Sequence, residues 1–307
     1  MSFSIGRYEV VEKLGSGGMA HVYLARDPYM KRQVAIKVMS AGMTLDPEFR
    51  MRFETEAEVI AALEHPFIVP VYDFGYYNEQ PYLVMRYLKG GSVKERIEDY
   101  GPVALSDAAR IIERMAAALD EAHRRGVVHR DVKPENALLD TAGDVFLADF
   151  GIVKIMSGGG GSTGQWLAGT PAYMAPEQVH GDQPITPATD VYALGVTLYE
   201  LLVAKKPYND PNPTKLMMKQ VMEPVPQITV VLPDAPGGIE EVIMKAMAKN
   251  AHDRYQSAGE FSEAVNSAGR AILSKRARKR WMADEITDAL SALEEDDDDR
   301  GVPSTGG

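Results

Sequence analysis

The sequence predicts an α+β fold with two lobes: a small antiparallel β-sheet lobe with one major helix, and a larger, mainly helical lobe. In roughly the first 85 residues short strand patterns dominate, and Val34, Ile36 and Val38 alternate with smaller or polar residues, the period of a strand. Beyond about residue 90 helical spacing takes over, as in the Ala-rich stretch from Ser106 to Arg125. A chain of 307 residues is long enough to bury a core in both lobes.

The bounds of the individual helices and strands are predicted from local residue patterns and from the positions of proline and glycine. The dipeptide Asp46-Pro47 opens the one long helix of the first lobe, which runs to Leu63 before His65-Pro66 ends it. We expect a small lobe over residues 1–85, a hinge over 86–89, a large lobe over 90–272 and a charged, partly disordered tail over 273–307. The predicted strands are 8–14, 22–25, 34–38, 69–76 and 81–87, and the further helices are 190–202 and 239–247.

Composition narrows the class of protein. The formal net charge of −11 disfavours a general nucleic-acid binder, which would be basic. The absence of cysteine excludes disulfides and thiolate chemistry. The first residues lack the basic and apolar regions of a signal peptide, and no apolar stretch approaches about 20 residues. We therefore expect a soluble, cytoplasmic chain that does not bind nucleic acid.

Two motifs of the small lobe suit phosphate binding. The run from Gly15 to Val22 (GSGGMAHV) is rich in glycine, which lets backbone amides approach phosphate oxygens closely. The segment Val34-Ala35-Ile36-Lys37 places Ala35 and Lys37 on one face of a strand. A small side chain there leaves room for a flat base, and the ammonium of Lys37 can reach a phosphate.

Two motifs of the large lobe suit metal-dependent phosphoryl transfer. The run from His129 to Asn136 (HRDVKPEN) supplies a carboxylate, a cation and an amide oxygen within one short loop. The triplet Asp149-Phe150-Gly151 follows a predicted strand and offers a second carboxylate for a divalent cation.

Together these motifs resemble the signature set of protein kinases, and residues 8 to 272 resemble the bacterial, eukaryotic-like (Hanks-type) serine/threonine kinases. The resemblance implies ATP-dependent phosphorylation of Ser and Thr hydroxyls of proteins in bacterial signalling, with Mg²⁺ or Mn²⁺. It implies that Asp131 is the catalytic base, Lys133 contacts the γ-phosphate, and Asn136 and Asp149 bind metal. Lys37 would hold the α- and β-phosphates and pair with Glu56; Glu54 and Glu58 remain alternatives.

The same resemblance implies the binding site for ATP and two structural pairings. Glu177 would pair with Arg254, and Asp190 would brace the catalytic loop. Ala20 replaces the third glycine of the loop and Arg86 replaces an acidic hinge residue; we expect both changes to be tolerated. The implied ATP-binding residues are Leu14, Gly15, Ser16, Gly17, Gly18, Val22, Ala35, Lys37, Met85 as gatekeeper, Arg86, Leu88 and Leu138.

Two other functions compete with this interpretation. A pseudokinase scaffold would lack one of the catalytic residues, and none is missing. A small-molecule kinase would lack the peptide-binding segment Gly169–Glu177, which is present. The pattern around Lys133 and Thr170 favours Ser/Thr over Tyr as the acceptor.

The segment between Asp149 and Glu177 indicates regulation. We expect autophosphorylation there, in trans within a dimer, first on Thr163 and second on Ser162, with Arg52, Arg130 and Lys154 receiving the phosphate. The alternative is a passive flexible loop, since four consecutive glycines precede Ser162.

The tail leaves more alternatives open. The basic run 275–280 either contacts anionic lipid or is a solvated face, and the apolar stripe of 281–293 either docks on the large lobe or a second chain or belongs to a disordered linker. An unbroken acidic run, Glu294 to Asp299, follows. The chain is either a soluble kinase or the cytosolic domain of a membrane-anchored one.

Overall fold

The structure, a computed structural model, describes residues 3–17, 20–40, 47–150, 171–181, 183–233, 235 and 237–269. A small lobe of β-strands with one helix is followed by a lobe of helices. The predicted fold class is therefore confirmed. Among the described residues, no helix combines the length and the apolar character needed to cross a membrane.

The small lobe is built on one antiparallel sheet in the order β1-β2-β3-β4-β6-β5. Helix α1 (Pro47–Ala61) lies between β4 and β5 in the chain, ending two residues before the predicted Leu63. The strands are β1 (Ser4–Ile5), β2 (Tyr8–Ser16), β3 (Ala20–Asp27), β4 (Arg32–Met39), β5 (Val71–Tyr77) and β6 (Gln80–Arg86).

The sheet of the small lobe is covered on both faces, which explains the alternation in β4. Val34, Ile36 and Val38 belong to one buried cluster together with Tyr8 on β2. Ala35, between them, belongs to the other cluster, which includes Phe53 of α1. Because successive side chains of a strand point to opposite faces, Lys37 lies on the same face as Ala35 and reaches the space between the lobes.

Helix α1 is fixed to the sheet by aromatic contacts. The ring of Phe53 is completely buried and meets the rings of Phe74 and Tyr76 on β5 edge-on, at centroid distances of 6.2 and 5.9 Å. Such pairs add to the stabilisation from apolar burial. This contact sets the rotation of α1 about its axis, and hence which of its glutamates faces the cleft.

The large lobe is organised around a helix that is buried on all sides. Helix α5 (Pro187–Val203) is mostly apolar and is buried from Ala188 to Val203, the pattern of a central helix. A Cβ on Gly195 would come within 3.0 Å of side-chain atoms of Met247 and Ala246, so glycine allows a close approach there. The other helices are α2 (Val93–Tyr100), α3 (Leu105–Arg124), α4 (Pro176–His180), α6 (Pro213–Met222), α7 (Ile228–Val231), α8 (Gly237–Ala246) and α9 (258–269).

A short hairpin joins the two lobes. Strands β7 (Ala137–Leu139) and β8 (Val145–Leu147) pair with each other, and Leu147 exchanges backbone hydrogen bonds with Phe67 and Val69 ahead of β5. Beyond the hinge, a Cβ on Gly90 would overlap the backbone carbonyl of Asp140 after β7. Glycine therefore lets the hinge pass close to the hairpin and puts both beside the cleft.

Most element positions agree with the sequence prediction to within a few residues. The short strands β1 and β7 and helices α2, α4, α6, α7 and α9 were not predicted. Helix α2 begins with a capping box, in which Ser92 accepts from the Glu95 N–H and Glu95 accepts from the Ser92 N–H. That signal, S-V-K-E, is visible in the sequence. The proposed lobe and tail boundaries remain predictions.

Candidate active site

A cavity of about 570 Å³ lies between the lobes, and most of the predicted ATP-binding residues line it. The small lobe forms its roof, the hinge its back wall, and β7 with the loop before it the floor. The predicted residues among its lining are Leu14, Gly15, Val22, Ala35, Lys37, Met85, Arg86, Leu88, Leu138, Asn136 and Asp149.

The back of the cavity suits a flat heteroaromatic base. Ala35 and Met85 are buried and face each other across paired strands, β4 and β6. Neither the backbone N–H nor the C=O of Leu88 takes part in a hydrogen bond with the described residues. A backbone donor and acceptor side by side at a cavity wall can bind the edge of a base, which suits the predicted role of Leu88 in ATP binding.

Among its described residues, the glycine-rich turn lines the cavity through Gly15 and Val22. Gly17 donates its N–H to the carbonyl of Ala20, and the Ser16 hydroxyl hydrogen-bonds to Nδ1 of His21. An added Cβ would meet nothing within 4 Å at Gly15 and only the Ala20 oxygen, 3.9 Å away, at Gly17. The predicted ATP-binding residues Ser16 and Gly17 do not line the cavity, and Gly18 is outside the described residues.

Lys37 and Asp149 form an ion pair across the cavity. The Lys37 ammonium donates to Oδ2 of Asp149 at 2.7 Å. Burial alone would raise the pKa of Asp149, but the charge and hydrogen bond of Lys37 hold that pKa below its usual range. The carboxyl group is therefore ionised at neutral pH and ready to bind a cation.

The catalytic loop gathers its three predicted residues into one cluster. The Lys133 ammonium contacts both carboxylate oxygens of Asp131, at 2.9 and 2.7 Å. The Asn136 side-chain N–H group donates to the Asp131 carbonyl at 2.7 Å and to its Oδ2 at 3.1 Å. These contacts hold the Asp131 carboxylate in one orientation next to Asn136, which lines the cavity, whereas Asp131 and Lys133 are not among its lining residues.

Two oxygen atoms remain available for a divalent cation. The side-chain oxygen Oδ1 of Asn136 and Oδ1 of Asp149 accept no hydrogen bond from the described residues, while their partner atoms are occupied. Carboxylate and amide oxygens are what Mg²⁺ prefers, and Mg²⁺ commonly takes only one or two protein ligands beside phosphate and water. The donor set therefore fits Mg²⁺ bound together with a nucleotide.

The catalytic loop is held from below by a buried aspartate. Asp190, on α5, accepts hydrogen bonds at 2.8 Å from the backbone N–H groups of His129 and Arg130, and His123 Nε2 lies 2.7 Å from it. Arg130 has a φ of 67°, which is costly for a residue with a side chain. Asp190 compensates for this conformation, which confirms its predicted bracing role.

His129 is a structural residue in this arrangement. Its Nε2 faces the carbonyl of Ala148 at 2.8 Å, and its Nδ1 accepts the N–H of Asp131 at 3.2 Å. Its ring also packs on Phe150 at a centroid distance of 4.6 Å. His129 thus ties the catalytic loop to the residues around Asp149, because both of its nitrogens are engaged.

A second ion pair is buried behind the catalytic loop. Arg254 binds Glu177 through two parallel hydrogen bonds of 2.7 and 2.8 Å, and Thr189 donates a third to the same carboxylate. Burial raises the pKa of Glu177, but the Arg254 hydrogen bond and charge lower it below its usual range overall. The predicted pairing is confirmed. Next to it, Gln178 donates to the carbonyl of Arg130 at 2.9 Å.

The position of Glu56 fits the role assigned to it. Glu56 is partly buried, whereas Glu54 and Glu58 are exposed. Burial lowers the pKa of Arg130, and the negative charges of Asp190 and Glu56 raise it again, so Glu56 faces the catalytic loop. Glu54 instead hydrogen-bonds to Tyr76 on the sheet. The pairing of Glu56 with Lys37 remains a prediction.

Several residues at the mouth of the cavity were not predicted from the sequence. Ser92, Lys94 and Glu95, from the start of α2, line it together with Glu135 of the catalytic loop. Lys94 also binds the buried Glu200 at 2.9 Å, and the Tyr173 hydroxyl donates to that glutamate from the other side. Helix α2 begins a few residues after the predicted hinge 86–89, and this closeness to the hinge is the signal that could have placed its first residues beside the cavity.

Some predicted residues cannot be placed. The phosphorylation candidates Thr163 and Ser162, together with Lys154 and Thr170, lie outside the described residues, as does the tail from residue 270 onward.

Comparison with known proteins agrees with the geometry. The protein kinase domain family matches residues 8–290. This chain belongs to the protein kinase domain family. Among curated proteins it is similar to the bacterial serine/threonine-protein kinases PrkC of Bacillus subtilis, with 36% identity over 263 residues, and PknD of Mycobacterium tuberculosis, with 39% over 264 residues. It is thus a kinase domain of the bacterial Hanks type.

The extent of these matches differs between the sequences and the solved structures. The alignments cover 86% of this chain but only 40% of each curated relative, so the chain spans less than half of their length. The crystal structure of the Mycobacterium tuberculosis PknI kinase domain matches with a TM-score of 0.71 and 32% identity, covering 87% of this chain and 98% of that one. The match therefore takes in nearly all of that kinase domain and most of this chain.

Proposed function

We propose that this kinase domain transfers the γ-phosphoryl group of Mg-ATP to Ser and Thr hydroxyls of proteins, including other copies of itself. The convergence of the Lys37–Asp149 pair and the Asp131–Lys133–Asn136 cluster on one cavity carries the proposal. Positioning and electrostatic stabilisation supply most of the catalysis in phosphoryl transfer. Fixed charges on both sides of one cavity meet that need.

Each residue then has one task. Asp131 orients the acceptor hydroxyl and accepts its proton, because its carboxylate is fixed by Lys133 and Asn136 and still open to solvent on one side. Lys133 stabilises the charge on the phosphoryl group during transfer. Lys37 binds the α- and β-phosphates, and Glu56 keeps Lys37 in place. Mg²⁺, or Mn²⁺ in its place, neutralises phosphate charge when bound, with Asn136 and Asp149 as its ligands.

The described geometry counts against the two competing functions. A pseudokinase scaffold has no need for an oriented Asp131 carboxylate with two partners. A small-molecule kinase has no need for the shelf formed by Tyr173 and α4, which Gln178 ties to the catalytic loop. Both features suit a peptide acceptor lying beside Asp131.

We further propose that autophosphorylation between Asp149 and Glu177 activates the domain, with Thr163 as the first site and Ser162 as the second. Arg130 supports this: it lies beside Asp131, is partly buried, and faces Glu56 of α1. A phosphate with a charge of about −2 near Arg130 and Arg52 would link the two lobes and hold Glu56 near Lys37.

One experiment tests both proposals. The protein is incubated with labelled ATP, Mg²⁺ and a basic acceptor protein, and the phosphorylated residues are identified by phosphoamino-acid analysis and peptide mass spectrometry. We expect label on Ser and Thr that disappears with a chelator, and phosphate within residues 157–164. Label on tyrosine alone, or transfer that persists without divalent metal, would contradict the proposed function. Transfer to the acceptor without phosphate in residues 157–164 would reject only the activation step.

We propose a cytoplasmic location for this domain, since ATP and unmodified protein acceptors are both available there. Dimers that phosphorylate each other, and attachment to a membrane through residues beyond Gly307, are compatible with this location.

A further inference from the structure

A second cavity lies on the face of the large lobe behind the hinge, away from the catalytic loop. Its volume is about 310 Å³, and we call it the arginine pocket because Arg96 of α2 and Arg110 and Arg114 of α3 all line it. The turn between β7 and β8 forms its remaining wall, and Leu139, Ile111 and Val145 give it an apolar base. None of these residues takes part in the active site described above.

The pocket carries positive charge in a chain that is strongly negative overall. Three arginines face two aspartates, Asp107 and Asp144, in its lining, whereas the whole chain has a net charge of −11. Hydrogen bonds from the Asp144 and Ala142 backbones lower the pKa of Asp140 at its rim, and the positive charges of Arg86 and Arg114 lower it further. The positive charge of Arg114 therefore also acts on the turn beside the pocket.

Only part of that charge is neutralised within the domain. Arg114 binds Asp144 and Arg110 binds Asp107, each at 2.5 Å, but the side chain of Arg110 is 74% exposed and retains free donors. No carboxylate among the described residues forms an ion pair with Arg96, whose guanidinium lies 6.0 Å from the ring of Tyr100. A planar guanidinium presents five N–H donors suited to carboxylates, so Arg96 and Arg110 can accept further acidic partners.

The chain itself contains a segment of complementary charge. Glu294 to Asp299 are six consecutive acidic residues, the longest unbroken run of like charge in the sequence. We propose that this acidic run docks on the arginine pocket of the same molecule, so that the end of the chain folds back behind the hinge. Carboxylates would bind Arg96 and Arg110, and the apolar base would contact Leu293 or the stems of the acidic side chains.

The length of the intervening chain permits this contact. Helix α9 starts beside α3, because Asp120 of α3 accepts the N–H groups of Ala258 and Gly259. The end of α9 is about 15 Å further on, and Arg110 is about 15 Å along α3 from Asp120. The residues 270–293 would span about 36 Å even as a continuous helix and about 80 Å when extended. Reach therefore does not limit the docking.

Attachment to the same chain compensates for weak individual contacts. Partly exposed ion pairs are weak one by one, so a free acidic peptide would bind poorly. Covalent linkage supplies an effective concentration of about 1 mM or more, which favours docking within the molecule. Because these charges face solvent, the contact must weaken with salt as the Debye length falls from about 30 Å at 0.01 M to about 3 Å at 1 M.

Fluorescence energy transfer within the full chain tests the proposal. The protein has no cysteine, so Ala142→Cys at the pocket rim and Ser304→Cys in the tail give two unique labelling sites. We expect high transfer efficiency at low salt that is independent of protein concentration and is lost at 1 M salt. Arg96→Gln or Arg110→Gln should each lower the ratio of docked to undocked molecules by about two- to fivefold.

Matched variants separate the pocket from a general charge effect. Neutralising the acidic run should abolish the high transfer, whereas neutralising Asp284, Glu285 and Asp288 in the same tail should not. Arg124→Gln, a change of an exposed arginine at the other end of α3, should also have no effect. Arg96→Glu with Arg110→Glu should release the tail, and Glu294→Lys with Glu295→Lys in that background should restore docking.

Three results would overturn the proposal. If the transfer efficiency is unchanged in both the Arg96→Gln and the Arg110→Gln variants, the acidic run docks elsewhere, for example against the basic run 275–280. If the pocket variants and the control variants change the transfer efficiency equally, the overall charge of the protein explains the effect and the pocket does not. Transfer that grows with protein concentration would show that the acidic run binds a second copy instead of its own pocket.

Discussion

Two clusters in the large lobe each pair a carboxylate with a basic side chain, but for opposite purposes. Beside the cleft, Asp131 and Lys133 form an ion pair whose side chains keep 24% and 15% of their exposure. Behind it, Glu177 and Arg254 form an ion pair with 1% and 0%. The open pair can still bind a substrate, whereas the closed pair has no contact with solvent.

The completeness of the hydrogen bonding separates the two clusters further. All five N–H donors of Arg254 are used, with carbonyls of Ala188, Ala248 and Lys249 adding to the Glu177 carboxylate. Beside the cleft, Oδ1 of Asn136 and of Asp149 accept nothing within the described chain, and both Arg130 and Asp149 have a φ of 67°. Unused acceptors and strained backbone mark a site for ligands, and complete pairing marks a structural tie.

The largest expected effect belongs to the open side. Lys37→Met should reduce phosphoryl transfer by at least about 10²- to 10³-fold, because the cation facing the phosphates is lost. The free energy of unfolding should change by less than about 1 kcal/mol, because this ion pair is partly exposed. A radioactive transfer assay and urea denaturation measure the two quantities. Lys215→Met, at an exposed lysine of α6, is the matched control. If the Lys37→Met protein unfolds, Lys37 is needed for the fold and the prediction is wrong.

The closed pair should respond in the opposite way. Arg254→Met should lower the free energy of unfolding by about 3–5 kcal/mol, because it leaves the buried Glu177 carboxylate without its partner. The double variant with Glu177→Met should recover part of that loss. Urea denaturation of the single and double variants gives the comparison. If the Arg254→Met protein is as stable as the parent, the buried pair is not a structural tie and does not differ from the open pair in this respect.

Two aspartates that make the same kind of hydrogen bonds separate an effect on catalysis from an effect on stability. Asp190 and Asp120 each accept two backbone N–H groups, but only Asp190 holds the catalytic loop. Each change to Asn should cost about 1–3 kcal/mol of stability, since one N–H loses its acceptor. We expect Asp190→Asn alone to lower kcat as well. Equal loss of kcat in the Asp120 variant would mean that kcat follows stability in general.

A further expected effect is a pH dependence next to the closed pair. Burial, followed by the positive charge of Arg254, lowers the pKa of Lys249 from its usual 10.5 to about 8. Between these values the unfolded chain binds more protons than the native one, so this lysine makes stability rise as pH increases from about 8 towards 10.5. Thermal unfolding of the parent and of Lys249→Met from pH 7 to 10 isolates the effect. A pH-independent difference between the two proteins would show that Lys249 titrates normally.

The sequence predicted the chemistry of the site better than its surroundings. Lys37, Asp131, Lys133, Asn136 and Asp149 were found because phosphoryl transfer needs those groups in short, ordered motifs. Their roles remain predictions until they are tested by mutation. The pairing of Glu177 with Arg254, far apart in the chain, came from the resemblance and not from any local pattern.

Features that depend on tertiary contacts were harder to predict. The contribution of α2 to the mouth of the cavity, through Lys94 and Glu95, depends on how the hinge turns. The arginine pocket combines residues of α2, α3 and the β7–β8 turn that no local pattern connects. The strands β1 and β7 have only two and three residues, too few for a periodic signal.

The central claim is that the open cluster performs the chemistry without being needed for the fold. The most direct test is Asp131→Asn, measured for ATP affinity, unfolding free energy and single-turnover phosphoryl transfer on the same preparation. We predict ATP affinity and stability close to those of the parent, and transfer slower by about 10²- to 10⁴-fold, because the hydroxyl loses its proton acceptor while the phosphate contacts remain. Near-normal transfer, or a loss of stability comparable to that of Arg254→Met, would contradict the account.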